Sequence, residues 1–207
     1  MGRRMTIDER VSETPLDASL AARRAMIDSQ LRTSGVNEPW ILDAMNALPR
    51  EDFVPANMRE AAYIDRAIPL GDGHMLAAPL VHGRMLAEAR PVASDKALLI
   101  GRADGYLAAL LRSLVGALDV VAPADVAAAG SGGDYSLIVI DGAVEVLPDA
   151  LASKLADDGR LVTGQVLRGV TRIATGRKIA GGISLLPLAE IGIPVLPQFA
   201  APKRWTF

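Results

Sequence analysis

Apolar positions along this 207-residue chain follow a helical rhythm up to about residue 90 and alternate between strand and helix patterns beyond it. Residues 1–18 are polar and charged with no apolar period, which reads as a mobile arm. Over 19–34, Leu20, Ala21, Met26, Ile27 and Leu31 recur at three- and four-residue steps, the pattern of an amphipathic helix stopped near Gly35. Asn37 is the expected cap of the next helix, with Glu38 and Pro39 in its first turn and Ile41, Leu42, Met45 and Leu48 facing inward. Between 49 and 79, Pro49, Pro55, Pro69, Gly71, Gly73 and Pro79 break the chain too often for long elements. Helical spacing returns over 80–90 and ends at Pro91.

The remainder reads as strands and helices in turn. Ala97–Ile100 is a short buried strand, Tyr106–Val115 a helix and Leu118–Ala122 a strand. Leu137–Ile140 is a strand ending at Asp141, Pro148–Leu155 a helix, and Arg160–Thr163 a strand after Gly159. Continuous apolar strands between helices predict a doubly wound, mostly parallel α/β sheet with helices on both faces. β-Branched runs at Ile173–Thr175, Ile183–Leu186 and Ile193–Leu196 predict an antiparallel edge. Only twelve residues separate Ala122 from Tyr135, too few for a helix, a strand and a second helix, so one α/β unit is expected to be missing. The predicted organisation is an arm over 1–18 and one domain over 19–207, with a helical cap and loop region at 19–90 and the core at 91–207.

Composition narrows the function classes. Half the residues are hydrophobic, ample for a core, and 22 basic against 24 acidic residues leave no positive excess for nucleic acid or an anionic membrane. There is no cysteine, which excludes disulfides and thiolate sites, and two histidines are too few for most metal centres. No apolar run approaches the ~20 residues of a membrane span. Arg3 and Arg4 are followed by Glu9, Glu13 and Asp17 where an export signal needs apolar residues, so a cytoplasmic location is expected. Arg23-Arg24 reads as a solvated helix face.

Candidate chemistry gathers at Gly101-Arg102-Ala103-Asp104-Gly105, between a strand and a helix. In an open α/β sheet, ligands bind beyond the carboxyl ends of the strands, where a bare backbone and free helix N–H groups can approach them. On residue types alone the segment is equally an ordinary tight turn. Asp141-Gly142 sits at the same edge, as a turn or as part of the cleft.

Longer motifs decide between these readings. Ala44-Met45, Leu48-Pro49-Arg50-Glu51, Phe53-Val54-Pro55, Ala62-Tyr63-Ile64-Asp65, Pro69-Leu70-Gly71-Asp72-Gly73-His74 and Ala78-Pro79 occur in that order. Met26–Leu31, Asp134–Val139, Gly159–Val162 and Leu196-Pro197-Gln198-Phe199 extend the pattern. From about residue 20 onward the chain resembles the protein-L-isoaspartate O-methyltransferase family. The resemblance implies a Rossmann-like methyltransferase sheet, S-adenosylmethionine as cofactor, and a damaged protein or peptide as substrate, methylated on an isoaspartyl carboxylate. It implies cofactor contacts at Leu99, Gly101, Asp104, Gly105, Tyr106, Asp125 and Asp141, and substrate contacts at Gly73, His74, Ala77, Pro79 and His82. With no metal, nucleic acid or membrane partner expected from composition, a monomer or homodimer is expected.

The chain departs from the family pattern at the ligand. Leu99 stands where the family has an acid, Ala103 replaces a glycine, and Ala77 replaces the serine that positions the substrate carboxylate. Asp125 lies one position late for the ribose-binding acid and reads first as a helix cap, with ribose binding as the alternative. The lost unit would otherwise flank the adenine, so its site is expected to lie open to water. The two histidines have no identifiable carboxylate partner, which points to packed imidazoles. Two hypotheses follow: a repair methyltransferase with altered cofactor contacts, or a catalytically silent relative that binds protein or peptide, or dimerises, on the same scaffold.

Overall fold

The structure, a computed structural model, describes residues 15–128 and 133–202. Helix α1 (Pro15–Met26) begins four residues inside the expected arm, continues through a π-helical turn at Ile27–Leu31, and closes in a 3₁₀ turn at Arg32–Ser34. Gly35, in the left-handed region at φ 86°, ends it. The rest of the arm lies outside the described residues. Helix α2 (Pro39–Ala47) starts from Glu38 rather than Asn37; the Asn37 N–H instead donates to the Glu38 carboxylate at 3.1 Å. Proline suits the first helical position because its missing N–H would have no partner there.

The punctuated stretch folds into 3₁₀ turns at Arg50–Phe53 and Ala56–Ala61, then an antiparallel hairpin of β1 (Ile68–Gly71) and β2 (His74–Leu76). Helix α3 (Pro79–Ala89) follows. The core sheet contains β3 (Lys96–Ile100), β4 (Ala117–Val121), β5 (Tyr135–Val144), β6 (Leu155–Leu167), β7 (Val170–Ile179) and β8 (Gly182–Glu190), with helix α4 (Tyr106–Arg112) between β3 and β4.

The sheet order is β4-β3-β5-β6-β7-β8. The β4-β3-β5-β6 pairings are parallel and the last two antiparallel, giving the mixed Rossmann-like sheet that the sequence predicts. Among the described residues, the crossover from β4 to β5 carries only a 3₁₀ turn at Pro123–Asp125, as the short spacer predicts, and β4 is an edge. Exposed Asp119 lies midway along it. The other edge, β8, exposes Leu186 and Leu188 around Pro187, beside a register shift. The run Ile193–Leu196 makes one bridge, Val195 to Ala143, and no strand.

Alternation along the strands divides the core in two. Ala97, Leu99, Leu137, Val139 and Val162 pack with the residues of α2, α3 and α4 on one face. Leu98, Ile100, Ile138, Ile140 and Leu161 turn the other way and meet Val126, Leu151 and Phe199. Fully burying each of the valine, leucine, isoleucine and phenylalanine side chains contributes roughly 1.5–3 kcal/mol. The second face is covered by 3₁₀ turns, not the α-helices expected there: the helix predicted over 148–155 is a single turn at Asp149–Leu151. Strand β6 already begins at Leu155, leaving no length for more.

One ion pair, with its carboxylate buried and its guanidinium half-buried, locks the bottom of the sheet. Arg160 grips Asp95 through both nitrogens, at 2.6 and 3.1 Å, and also donates to the Ala89 and Arg90 carbonyls. Burial alone would raise the Asp95 carboxyl. Hydrogen bonds from Arg160, Ser136 and the Val92 N–H outweigh it and hold the group below the usual carboxylate range. No helix among the described residues is long and apolar enough to cross a membrane.

Candidate functional site

Strand β3 ends at Ile100, the partner of Ile140, while β5 runs on through Asp141 to Val144, past the end expected at Asp141. Gly101 follows β3 and lies beside Asp141. A Cβ on Gly101 would stand 3.1 Å from the Asp141 Cβ, a tight contact, so the glycine lets the two strands converge without displacing Asp141. A cavity of about 390 Å³ opens at this point. Its floor is the turn Gly101–Tyr106 with Pro123 and Asp141; its opposite walls are Asp52–Pro55, the hairpin residues Leu70 and Asp72–Leu76, and Pro194–Gln198. The last segment is pressed against β5 at Gly142, where a Cβ would meet the Leu196 side chain at 2.6 Å.

Behind this cavity lies a buried polar chain. Arg50 is 0% exposed. Its Nε donates to the Ala62 carbonyl at 2.7 Å, its Nη2 to the Ala77 carbonyl, and its Nη1 to His82 Nδ1 at 3.3 Å. A guanidinium can only donate, so Nδ1 is the acceptor and the proton sits on Nε2. That Nε2–H donates to Asp141 Oδ1 at 3.1 Å. The guanidinium also lies over the Tyr106 ring, 5.0 Å from its centroid. Burial pulls the Arg50 guanidinium down to about 10, still charged at neutral pH, with Tyr106 and Asp141 opposing the fall. Burial pushes the Tyr106 hydroxyl well up, and no described residue partners it.

The chain continues into the cap. The Arg50 N–H donates to Tyr63 Oη at 3.3 Å, Tyr63 donates to Glu51, and Ser19 on α1 donates to the same carboxylate. Arg23 donates to Tyr63 Oη at 2.9 Å and to the Asn46 carbonyl at 2.8 Å, and sits 3.5 Å from Glu51. At 4% exposure Arg23 is no solvated face, unlike its exposed neighbour Arg24.

Of the twelve residues singled out from sequence, Gly73, His74, Gly101, Asp104, Gly105, Tyr106 and Asp141 line the cavity. Ala77, Pro79, His82 and Leu99 are buried behind its walls, and Asp125 is exposed on its 3₁₀ turn and does not reach the cavity. His82 has the carboxylate partner that no local spacing could reveal, because Asp141 lies 59 residues away. Asp104 is paired with Arg102 at 2.7 Å. Sequence reasoning missed Asp52 and Pro194–Gln198 as lining residues, and Arg50 as the organiser of the wall. The signal for Arg50 was its place in the Leu48-Pro49-Arg50-Glu51 motif. The cavity at Gly101 is lined by the glycine turn, the β1–β2 hairpin and Pro194–Gln198 together.

Comparison with known proteins gives a consistent answer. The family model described as protein-L-isoaspartate(D-aspartate) O-methyltransferase matches residues 21–125. The chain is similar to protein-L-isoaspartate O-methyltransferase 1 of Rhodopseudomonas palustris, 34% identical, with 69% of this chain and 68% of the relative covered. It is similar to the protein of that family name from Methanoculleus marisnigri, 29% identical over 86% of this chain and 92% of the relative. In fold it resembles a Plasmodium falciparum chain of the same family name solved in complex with S-adenosyl-L-homocysteine. That likeness has a TM-score of 0.66 at 15% identity and covers 85% of this chain and 98% of the other.

Proposed function

The chain belongs to the protein-L-isoaspartate O-methyltransferase family, and we propose that it methylates the carboxylate of L-isoaspartyl residues in damaged proteins or peptides, using S-adenosylmethionine. The observation that carries this reading is one cavity joining the glycine turn after β3 to the β1–β2 hairpin, so that a cofactor and a peptide would meet inside it.

The cavity suits S-adenosylmethionine on its own chemistry. About 390 Å³ falls within the ~300–1,000 Å³ of small-molecule sites. Asp52, Asp72, Asp104 and Asp141 against the single Arg102 favour a ligand carrying a sulfonium and an ammonium. Gly101, Asp104, Gly105 and Tyr106 would hold the cofactor, with Asp141 beside them. Bound there, S-adenosylmethionine supplies an electrophilic methyl group on a positively charged sulfur.

The chain itself has to align and to exclude water. Gly73, His74 and the facing segment Pro194–Gln198 frame the opening along which a peptide would lie. Ala77, Pro79 and His82 shape that wall from behind. With a substrate carboxylate held in line with that methyl group, no proton would have to move, so the chain would need to supply no general base.

The test is methyl transfer from tritium-labelled S-adenosylmethionine to an L-isoaspartyl peptide, with the matching aspartyl peptide as control. Label in the first peptide alone is expected; label in neither overturns the reading. A second reading, a silent relative that binds protein or peptide or dimerises, is favoured by Ala77 at the family serine position and by the apolar, fully buried Leu99. It requires peptide binding or self-association to persist where methyl transfer is absent.

A further inference from the structure

The acid that the family carries on the first core strand is Leu99 here, 0% exposed and without a polar atom to offer. Strand β5 brings a carboxylate to the same spot. Asp141 follows Ile140, the register partner of Ile100, and so stands against Gly101. Its carboxylate lines the cavity with the side chain 17% exposed. Oδ1 accepts from His82, and no described residue donates to Oδ2. The carboxylate's aim is set from behind by two side chains of 0% exposure, His82 and Arg50. The other carboxylates are placed differently: Asp104 is held by Arg102, and Asp52 and Asp72 belong to the opposite walls.

We infer that Asp141 receives the α-ammonium of the cofactor's amino-acid end, the acid having moved from β3 to the neighbouring β5. His82 and Arg50 are positioning residues for it. This rests on reading the cavity as an S-adenosylmethionine site. Within that reading it explains how a chain with Leu99 retains a charged seat for the ligand.

The test is calorimetric titration of the full chain with two ligands. S-adenosylhomocysteine carries the ammonium; 5′-methylthioadenosine keeps the adenosine and thioether but lacks it. The Asp141→Asn variant keeps the shape and an acceptor for His82, and its melting without ligand reports the fold. A charge-assisted hydrogen bond predicts roughly 10- to 100-fold weaker binding of S-adenosylhomocysteine by Asp141→Asn. Binding of 5′-methylthioadenosine should stay within about twofold of the unsubstituted chain, because no ammonium is lost. Equal weakening of both ligands, or of neither, overturns the inference and leaves the proposed function standing. Failure of the unsubstituted chain to bind S-adenosylhomocysteine overturns both.

Discussion

The cavity's floor and the wall behind it are built on different terms. The floor, Gly101–Tyr106, carries one ion pair, Arg102 with Asp104, whose side chains are 39% and 74% exposed. The wall carries Arg50, His82, Tyr63 and Glu51, densely bonded to one another and largely buried. The floor departs from the family pattern at Ala103 and the wall at Ala77, whose carbonyl still accepts from Arg50. A buried charge stripped of partners is costly, whereas an exposed pair contributes little. Substitution can therefore drift on the floor, while the wall holds its residues together whatever ligand the floor receives.

The largest expected effect breaks that contrast directly. Arg50→Met strips the donors from Ala62, Ala77 and His82 and should cost about 3–5 kcal/mol, measured by urea unfolding. A cost no larger than that of opening the Arg102–Asp104 pair would show that wall and floor do not differ. Next comes Glu51. Burial alone would raise it, but hydrogen bonds from Ser19 and Tyr63, with the charge of Arg23, hold it below its usual 4.5. A lowered folded value means that its contribution is complete above about pH 4.5 and is lost as pH falls through the folded value. Glu51→Gln should cost about 1–2 kcal/mol at neutral pH and make the acid limb of a stability–pH curve shallower. An unchanged limb would remove Glu51 from the wall.

Tyr106→Phe sharpens the comparison where wall and floor meet. Deleting a buried hydroxyl without a protein partner should leave the free chain unchanged or stabilise it by up to about 1 kcal/mol in thermal melting. Marked destabilisation would mean the hydroxyl is engaged. Smallest of all, Arg102→Met should shift stability by no more than about 0.5 kcal/mol, and less at high salt.

Much of the sheet was legible because buried parallel strands are unbroken apolar runs, as in Leu137–Ile140. The β1–β2 hairpin was not, since Pro69 and two glycines interrupt strands of four and three residues. The helix expected over 148–155 failed because a tertiary limit, the early start of β6, overrode local spacing. At the site, residues on the glycine turn were legible because a turn exposes its backbone to whatever lies above. Leu99 and His82 are buried behind the cavity, Leu99 next to Gly101 and His82 against Asp141, a placement that a motif does not carry. The His82–Asp141 bond joins two helpful residues that nothing in the chain's linear order connects.

Both rims of the sheet are stopped by the chemistry of single residues. A strand from another molecule arriving alongside β8 meets Pro187, which has no amide hydrogen, next to a register slip; one arriving alongside β4 meets the charge of Asp119. Losing an α/β unit uncovered β4 and left Leu186 and Leu188 as the stickiest part of the opposite rim. An imino acid and a carboxylate thus guard a shortened sheet against growing into fibres.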